Sequence, residues 1–385
     1  MFHIATEEEI KSGRVTDIYF QRTLEILKAR EINKRVVTEV WTKGLPNDWN
    51  WAILTGIEEC IELLKGRPLH LNGLREGTVF HPFEPVLEIE GQYQDFALLE
   101  TAILGFICQA SGIATAAARC RKAAGERPVI SFGARRMHPS IAPMIERSAF
   151  IGGCDGVAVV KSAEFIGEEP AGTMPHALIL VIGDTVEATK AFHDIISEKV
   201  ARVSLIDTFH DEKFAALEVA EALGENLFAV RLDTPSSRRG NFLQIIEEVR
   251  WELNLRGFQR VKIFVSGNID VAAMQGLNQI VDAYGVGTYI SNAPVIDFSM
   301  DIVEIEGEPI AKRGKLSGRK KLYRCPDCYQ TKVKPRENPE RVCECGGSME
   351  SLTTHLIKAG KVVDPLPQPQ EIRKNVLNQL PHFSL

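Results

Sequence analysis

The sequence has no uninterrupted apolar run of the length that spans a membrane. Its longest apolar stretch, residues 97–118, is broken by Glu100, Gln109 and Ser111, and we interpret it as a pair of buried helices. No apolar core of a secretory signal peptide is visible near Met1. We therefore expect a cytoplasmic protein that does not contact a membrane.

A broad surplus of positive charge is also absent. The 385 residues include 45 Lys and Arg against 51 Asp and Glu, which gives a formal net charge of −6. A protein that binds nucleic acid along its surface needs a wide basic face, so this composition disfavours nucleic acid as a partner. With 44% hydrophobic and 25% charged residues, the chain has the composition of a soluble globular protein, and its length predicts two or three structural units.

Cysteine is scarce outside one short segment. Four of the eight cysteines stand alone in apolar surroundings, where a buried free thiol is the expected state: Cys60, Cys108, Cys120 and Cys154. The other four form two close pairs: Cys325, Cys328, Cys343 and Cys345. Without a secretory signal, this spacing favours zinc over disulfides, and four thiolates predict a closed tetrahedral site. Such a knuckle either binds nucleic acid or acts as a structural staple, and the negative net charge favours the staple.

Short β-branched runs alternate with amphipathic helical segments in the middle of the chain. The runs occupy residues 128–136, 156–160, 177–184, 203–208, 227–234, 261–268 and 285–291. Strands that are apolar throughout and separated by helices indicate a parallel sheet that is covered on both faces. About seven repeats favour an α/β barrel, and an open doubly wound sheet is the alternative.

The segments on either side of this region have a different texture. Residues 1–115 mix helices with strands such as PVLEIEG at 85–91, and residues 299–385 are extended, polar and rich in proline. We interpret the last part as two strand pairs, the cysteine knuckle and a final helix. The short strands before and after the barrel could form one sheet between them.

Polar residues and glycines stand at the ends of six of the seven runs of the predicted barrel. They are Arg135, Arg136, Asp184, Asp207, Thr208, Arg231, Asp233, Thr234, Ser266, Gly267, Asn268, Gly285, Gly287 and Thr288. The carboxyl ends of parallel strands converge on one rim, where barrel enzymes have their active sites. A helix N-cap is an equally good explanation for Asp184 and Asp207. The succession of Arg, Asp and Gly over six ends nevertheless predicts an active site.

The residue types at these ends suit an anionic substrate. Gly267 and the turn at Gly285, Gly287 and Thr288 leave backbone N–H groups open to phosphate oxygens, and the last strands of a barrel are a common place for a phosphate site.

The charged side chains have complementary uses. The guanidinium groups of Arg135, Arg136 and Arg231 suit carboxylate, phosphate or pyrophosphate, and Asp233 suits a ribose diol or a developing cation. His176 precedes a predicted strand, and structural and functional roles both stay open for it at this point. The basic loop at residues 312–321 is interpreted from its composition as a solvated surface.

Several segments resemble the nicotinate phosphoribosyltransferases. The most specific are FGARR at 132–136, EPVLEIEG at 84–91 and GTMPH at 172–176. Further similar segments are GRVTDIYF, SLIDT, VRLDT, FVSGNID, GVGTYIS, AKRGKLSGRKKLYR and KAGKVVDPLPQPQEIRKNVLNQL. They run in the family's order along nearly the whole chain, with the cysteine knuckle outside the common pattern.

The resemblance implies a type II phosphoribosyltransferase with a characteristic domain arrangement. An α/β sandwich domain would occupy residues 1–115 and receive return strands from 299–320 and 353–385. An irregular, incomplete α/β barrel would occupy 116–298, and the zinc knuckle 321–352. The family joins nicotinate to phosphoribosyl pyrophosphate with Mg²⁺ and, as a co-substrate, ATP. It forms homodimers with shared active sites, and a higher oligomer stays open.

The resemblance also implies roles for residues around the substrate ring and the histidine. Phe132 and Tyr19 of a second subunit would stack on the two faces of the pyridine ring, while Arg135 and Arg136 would lie by the carboxylate or the phosphates. His176 matches the histidine that relatives phosphorylate when they use ATP.

The remaining implied roles concern phosphate and ribose. Arg231 and Asp233 would hold the ribose and pyrophosphate. The residues expected at the phosphates and ribose hydroxyls are Ser266, Gly267, Asn268, Gly285, Gly287 and Thr288. A basic flap would reach pyrophosphate through Lys315, Arg319 and Lys320. Two departures stand out: Asn268 replaces an acid of many relatives, and Ala158 replaces a polar or acidic residue near the ring.

Four alternatives are considered at this stage. One is a non-catalytic, zinc-stabilised scaffold, which the polar residues at the strand ends disfavour. Quinolinate phosphoribosyltransferase shares the architecture, but it needs a denser cluster of cations and lacks the histidine of GTMPH. Nicotinamide is a further possible substrate, although an arginine for the carboxylate favours the acid. From a different class, tRNA-guanine transglycosylases pair a barrel with a four-ligand zinc site, but the negative net charge disfavours an RNA-modifying protein.

Overall fold

A computed structural model describes residues 2–339 and 341–385. The chain divides into two compact units. The first contains the residues up to Thr115 together with Ala293–Leu385, and the second contains Ala116–Asn292.

Both units contain strands and helices. The strands are, in chain order, β1 (Arg35–Thr42), β2 (Ala52–Ile53), β3 (His70–Gly73), β4 (Val79–Phe80), β5 (Leu87–Gln92), β6 (Val129–Ser131), β7 (Gly156–Val157), β8 (Val203–Leu205), β9 (Ala229–Leu232), β10 (Lys262–Val265), β11 (Ala283–Val286), β12 (Phe298–Ile305), β13 (Glu308–Pro309), β14 (Lys320–Arg324), β15 (Thr331–Pro335), β16 (Glu350–Ser351), β17 (Thr354–Lys358) and β18 (Lys361–Val362). The helices are α1 (Glu7–Lys11), α2 (Ile18–Ala29), α3 (Ile57–Leu64), α4 (Tyr93–Phe96), α5 (Glu100–Ala124), α6 (Ala142–Ile151), α7 (Val160–Ile166), α8 (His176–Ile182), α9 (Thr185–Ile195), α10 (Glu212–Leu223), α11 (Ser236–Arg239), α12 (Phe242–Leu255), α13 (Val271–Leu277), α14 (Thr288–Ser291) and α15 (Pro369–Gln379).

The first unit is built on an antiparallel sheet with the strand order β13-β12-β1-β5-β3-β17-β18. Strands from before and after the second unit therefore share one sheet. Val36 and Val40 of β1 belong to the hydrophobic core, whereas Glu39 between them pairs with Lys320. This alternation follows from the two-residue period of a strand and gives the sheet one apolar and one charged face.

The apolar segment at 97–118 is not a pair of helices, and this expectation was wrong. Residues Ala97–Leu99 form a short 3-10 helix, and the rest of the segment belongs to the single helix α5. The hydroxyl groups of Ser111 and Thr115 accept hydrogen bonds from the backbone N–H groups of Thr55 at 3.0 Å and Ile53 at 2.9 Å, so polar residues inside the helix have partners and do not end it. The helical segment Tyr93–Ala124 is long and apolar enough to cross a membrane, but 56% of its apolar 18-residue stretch is buried inside the protein. The core helix of a soluble protein has the same character.

The second unit contains a parallel sheet with the order β7-β6-β11-β10-β9-β8. It curls into part of a barrel, with β7 and β8 at its two edges. This confirms the predicted irregular, incomplete α/β barrel beside further sheets.

Three of the runs predicted as barrel strands have a different structure. Residues 177–184 were predicted as a strand, but His176–Ile182 is helix α8. A short apolar run does not distinguish a strand from a helix turn, and here only Ile179 is fully buried while Val181 is 86% exposed. The run at 156–160 becomes a two-residue strand followed by α7, and the run at 285–291 contains only the end of β11 and then the short helix α14.

Candidate active site

The parallel strands of the second unit bring polar residues together at the carboxyl edge of the sheet. β9 and β10 are neighbours in parallel register, as are β8 and β9. Arg231 lies in β9, and Asp233, Ser266 and Asp207 follow β9, β10 and β8. Asp184, by contrast, follows helix α8 and caps α9, where its carboxylate accepts a hydrogen bond from the N–H of Glu187 at 2.8 Å. Asp184 therefore does not stand at a strand end, and the N-cap explanation is correct for it.

Arg231 is the centre of a side-chain network. Its Nε donates to Ser266 Oγ at 2.9 Å and its Nη1 donates to Thr173 Oγ1 at 2.8 Å. Ser266 Oγ donates in turn to Asp233 Oδ1 at 2.7 Å, and Arg231 Nη2 lies 3.4 Å from Asp233 Oδ2. Burial lowers the pKa of Arg231, and the nearby carboxylates of Asp233 and Asp207 oppose this shift. The guanidinium is therefore a fixed, largely buried cation, with 14% of the side chain exposed.

The ring of Phe132 lies beside this cation. The guanidinium carbon of Arg231 is 5.2 Å from the centroid of the Phe132 ring, and the Phe264 ring packs 5.9 Å away. A Cβ at Gly285 would lie 2.5 Å from Phe132 Cδ2, so only glycine leaves room for the ring. The structure thus gives Gly285 a packing role beneath Phe132.

The turn after β10 has an uncommon backbone conformation. Gly267 has φ +76°, and Asn268 has φ +48°, a left-handed conformation that asparagine tolerates better than most residues. A Cβ at Gly267 would lie 3.0 Å from Asp233 Oδ1 and 3.2 Å from Arg239 Nη2. Gly267 is therefore confined between a carboxylate and a guanidinium.

His176 and Asp207 form a second polar pair. His176 Nε2 lies 3.1 Å from Asp207 Oδ1, and the histidine side chain is 39% exposed whereas that of Asp207 is 1% exposed. Burial raises the pKa of the Asp207 carboxyl, while the charge of His176 and its hydrogen bond act in the opposite direction. The other oxygen, Oδ2, is buried without a hydrogen-bond partner among the described residues. Asp207 is thus not a helix cap.

The other predicted residues of this unit lie at neighbouring strand ends. Arg135 and Arg136 are exposed in a short 3-10 helix after β6, and the charge of Arg135 acts on the pKa of Arg231. Gly287 and the exposed Thr288 follow β11 at the start of α14. Since β11 pairs with both β6 and β10, these residues occupy the same edge of the sheet.

Tyr19 belongs to the first unit, near the start of α2. Its side chain is 56% exposed, and its ring lies 4.4 Å from that of Phe20. The chain therefore presents Tyr19 on its surface.

The basic loop also belongs to the first unit, and its cations are paired with carboxylates of the sheet. Lys315 Nζ lies 2.8 Å from Asp301 Oδ2. Arg319 Nη2 lies 2.6 Å from Glu90 Oε2, and Lys320 Nζ lies 2.8 Å from Glu39 Oε2. The side chains of these three cations are between 8% and 16% exposed. The interpretation of this loop as a solvated surface was therefore wrong for them, because the charged face of the sheet provides partners.

The four clustered cysteines converge on one point. Their Sγ atoms all lie within 4.8 Å of one another, with 3.5 Å between Cys325 and Cys345 and 3.4 Å between Cys328 and Cys343. Four thiol groups in this arrangement can hold a metal such as zinc.

Two residues of the edge were not singled out as site residues in the sequence. Thr173 accepts from Arg231, and Arg239 donates to the backbone of the turns after β9 and β10. In the sequence, the motif GTMPH could have identified Thr173. The pair of arginines that closely follows VRLDT could have identified Arg239.

Comparisons with known proteins agree with this architecture. The family model described as the C-terminal domain of quinolinate phosphoribosyl transferase matches residues 113–301, and the model of its N-terminal domain matches residues 17–111. A crystal structure of nicotinate-nucleotide pyrophosphorylase from Pyrococcus furiosus is 55% identical, with a TM-score of 0.98 and coverage of 100% of this chain and 99% of that chain. Human nicotinic acid phosphoribosyltransferase, at 22% identity, shares the fold with a TM-score of 0.79 and covers 96% of this chain and 94% of its own.

A curated relative decides the family. Nicotinate phosphoribosyltransferase pncB1 from Mycobacterium tuberculosis is 32% identical over 400 residues, which cover 91% of this chain and 87% of the relative. Identity at this level along most of both chains shows that the protein belongs to the nicotinate phosphoribosyltransferases, within the type II phosphoribosyltransferases.

Proposed function

We propose that this protein joins nicotinate to the ribosyl group of phosphoribosyl pyrophosphate. The products are nicotinate mononucleotide and pyrophosphate, and the reaction is the first step of NAD salvage from nicotinate. The observation that carries this proposal is the network of Arg231, Asp233 and Ser266 beside the Phe132 ring, in a chain of this family.

The network suits a reaction that needs positioned charge more than a nucleophilic side chain. The bond between C1′ and the pyrophosphate oxygen breaks, and the ring nitrogen of nicotinate forms the new bond to C1′. Positive charge develops on the ribose in between, and negative charge develops on the leaving group. Asp233 would stabilise the positive charge on the ribose, and Arg231 would stabilise the negative charge on pyrophosphate, because both side chains are held in place before substrate binds.

The substrate ring would stack on Phe132. Arg135 and Arg136 stand at the next strand end and supply guanidinium groups for the carboxylate or the phosphates. Ala158, after β7, offers no polar group toward the ring. We assign Tyr19 of a second subunit to the other face, since its side chain is exposed on the surface of its own chain.

The 5′-phosphate would bind to the turns after β10 and β11. Gly267 and Asn268 turn in the left-handed region, and Gly287 and Thr288 begin α14. Turns of this kind direct backbone N–H groups toward an anion. Asn268 supplies a neutral amide where an acid would add negative charge near the ribose, and Ser266 supports the site through Arg231 and Asp233.

The residues at this edge also fit Mg²⁺ and ATP. Asp233 and Asp207 provide carboxylate oxygens, the ligand type that Mg²⁺ prefers, and the buried Oδ2 of Asp207 has no hydrogen-bond partner among the described residues. Bound Mg²⁺ would neutralise charge on pyrophosphate. The part-exposed imidazole of His176 could accept a phosphoryl group from ATP at Nδ1, while the contact of its Nε2 with Asp207 Oδ1 at 3.1 Å holds the ring.

The four-cysteine cluster is assigned to structural zinc. Its thiol groups supply all four ligands of a tetrahedral site. The site lies beside the three-stranded sheet β15-β14-β16 and packs with Tyr323 and Met349 in a small apolar cluster. A short segment with few apolar residues gains its stability from the metal.

The basic loop is the proposed contact to pyrophosphate. There Lys315, Arg319 and Lys320 would share or exchange their ion-pair partners Asp301, Glu90 and Glu39. We propose this contact for the substrate-bound dimer, and we expect the protein to act in the cytoplasm as a homodimer.

Quinolinate is the second candidate substrate, because the matching family models carry its name. Release of pyrophosphate from phosphoribosyl pyrophosphate should be measured with nicotinate, nicotinamide and quinolinate side by side. We expect turnover with nicotinate and no release of CO₂ from quinolinate. If quinolinate were the only one of the three that is turned over, the protein would instead be a quinolinate phosphoribosyltransferase.

A further inference from the structure

Arg239 connects the two turns that carry Asp233 and Gly267. Its Nε donates to the carbonyl oxygen of Thr234 at 3.0 Å. Its Nη2 donates to the carbonyl oxygens of Ser266 at 3.1 Å and Gly267 at 2.7 Å. One guanidinium therefore bridges the loop after β9 and the turn after β10.

The guanidinium itself is held firmly in this position. Its carbon lies 4.1 Å from the centroid of the Phe242 ring, at the start of α12. Burial lowers the pKa of Arg239, and the carboxylates of Asp233 and Asp207 oppose the shift. The planar group is thus fixed between an aromatic face and three carbonyl oxygens, which lysine could not contact in the same way.

The contacts of Arg239 determine where the backbone N–H groups of the turn point. In a planar trans peptide the C=O and N–H groups point in opposite directions. Because the carbonyl groups of Ser266 and Gly267 face Arg239, the N–H groups of Gly267 and Asn268 face away from it. Among the described residues, neither of these N–H groups donates to an acceptor. Two adjacent free N–H groups are a binding site for an anion such as phosphate.

We propose that Arg239 is a positioning residue for phosphoribosyl pyrophosphate. It holds the turn at Ser266–Asn268 in the left-handed conformation and so keeps the two N–H groups directed at the phosphate. Without this bridge the turn would have to be ordered when the substrate binds, which weakens binding. The inference rests on the proposed function, since it names a residue that supports the same site.

Arg239→Gln and Arg239→Lys test this role, with Arg238→Gln as the matched control because Arg238 is the exposed neighbour. Steady-state kinetics should show that KM for phosphoribosyl pyrophosphate rises on the order of 10-fold in both Arg239 variants. KM for nicotinate should change by less than about 2-fold, and Arg238→Gln should resemble the wild type.

Three results would overturn the proposal. Wild-type KM for phosphoribosyl pyrophosphate in Arg239→Lys would show that charge alone matters. An equal rise in Arg238→Gln would show an unspecific effect of charge. A lower melting temperature in Arg239→Gln with both KM values unchanged would show a merely structural role.

A second readout separates this proposal from the proposed function. The affinity for phosphoribosyl pyrophosphate with Mg²⁺, without nicotinate, can be measured by calorimetry in all four proteins. If the wild type makes no nicotinate mononucleotide, the proposed function fails, yet weaker binding in the Arg239 variants alone would still support the positioning role. Equal affinities in all four proteins would contradict it.

Discussion

The side chains at the carboxyl edge of the parallel sheet hold one another before substrate binds. Arg231, Ser266 and Asp233 form a closed set of contacts. A buried arginine paired with a carboxylate keeps its charge, and its position does not have to be ordered during the reaction. We propose that these paired charges serve catalysis at the expense of some stability, because each cation and anion had to leave water.

His176 is predicted to carry the stimulation by ATP. Substitution His176→Ala removes the imidazole nitrogen that would accept the phosphoryl group, so the ratio of rates with and without ATP should fall to about one. Pyrophosphate release with and without ATP measures this ratio. The exposed His210 provides the control, and His210→Ala should keep the stimulation. Unchanged stimulation by ATP in His176→Ala would contradict the assignment of His176 as the phosphorylated residue.

Residue types at strand ends could be predicted from the sequence, but their contacts could not. Asp207, Asp233 and Ser266 follow apolar strands, and the parallel arrangement alone brings such ends together. The sequence predicts that Gly285 is part of a phosphate turn, but it does not show that the missing side chain also makes room for Phe132. Arg239 was overlooked because its partners are backbone carbonyl groups of turns that only the fold brings together.

At the scale of elements, the apolar pattern predicted the type of sheet correctly but not every strand in it. The alternation of β-branched runs and helices identified a curled parallel sheet correctly. The run at 177–184 failed because six apolar residues fit a helix as well as a strand, and α8 leaves Leu180 and Val181 exposed. The spacing of apolar residues alone cannot distinguish a helix from a strand when the run is this short.

The charged face of the antiparallel sheet explains why the basic loop folds back on it. Asp301, Glu39 and Glu88 stand in one row across β12, β1 and β5. Burial raises the pKa of Glu39, and Lys320 opposes the rise. The sequence shows the acidic strands and the basic loop but not their pairing, since the register of distant strands brings the charges together.

Lys320→Met should destabilise the protein, because it leaves the carboxylate of Glu39 buried without a cation. We expect a loss of about 3–5 kcal/mol in the free energy of unfolding, measured by urea denaturation. The double variant Glu39→Gln/Lys320→Met should recover most of this loss. Lys312→Met is the control: its side chain is 67% exposed and Asp301 keeps Lys315, so less than about 1 kcal/mol is expected. Equal losses in both single variants would contradict the pairing argument.

Removing metal from the cysteine cluster should affect stability and leave catalysis intact. The cluster is tied to the C-terminal segment, since the Tyr329 ring stacks 3.8 Å from that of His382 and Arg324 Nη1 donates to Gln379 Oε1 at 3.0 Å. Chelation should therefore lower the melting temperature by several degrees, while the rate at low temperature stays unchanged.

Zinc analysis and zinc addition complete this experiment. We expect about one zinc ion per chain, and adding zinc back should restore the melting temperature. Loss of activity in proportion to zinc removed, well below the melting temperature, would contradict a purely structural site.

At the scale of the whole molecule, we predict that a second chain completes the active site. Tyr19→Ala and Arg231→Ala should each be nearly inactive, because each removes a group at the site. If Tyr19 acts across the dimer, a mixture after subunit exchange contains mixed dimers with one intact site. Random exchange makes half of the dimers mixed, so activity should recover to about a quarter of the wild-type value. A mixture no more active than its components would mean that no site is shared.

The rate of nicotinate mononucleotide formation in wild type and Asp233→Asn tests the central claim most directly. We predict that the wild type forms the product from nicotinate with one pyrophosphate per turnover. Asp233→Asn should lower kcat on the order of 100-fold or more while the protein remains folded at the assay temperature, and the exposed control Asp194→Asn should not lower kcat. A wild type that turns over only quinolinate with release of CO₂, or an Asp233→Asn variant with full kcat, would contradict the account.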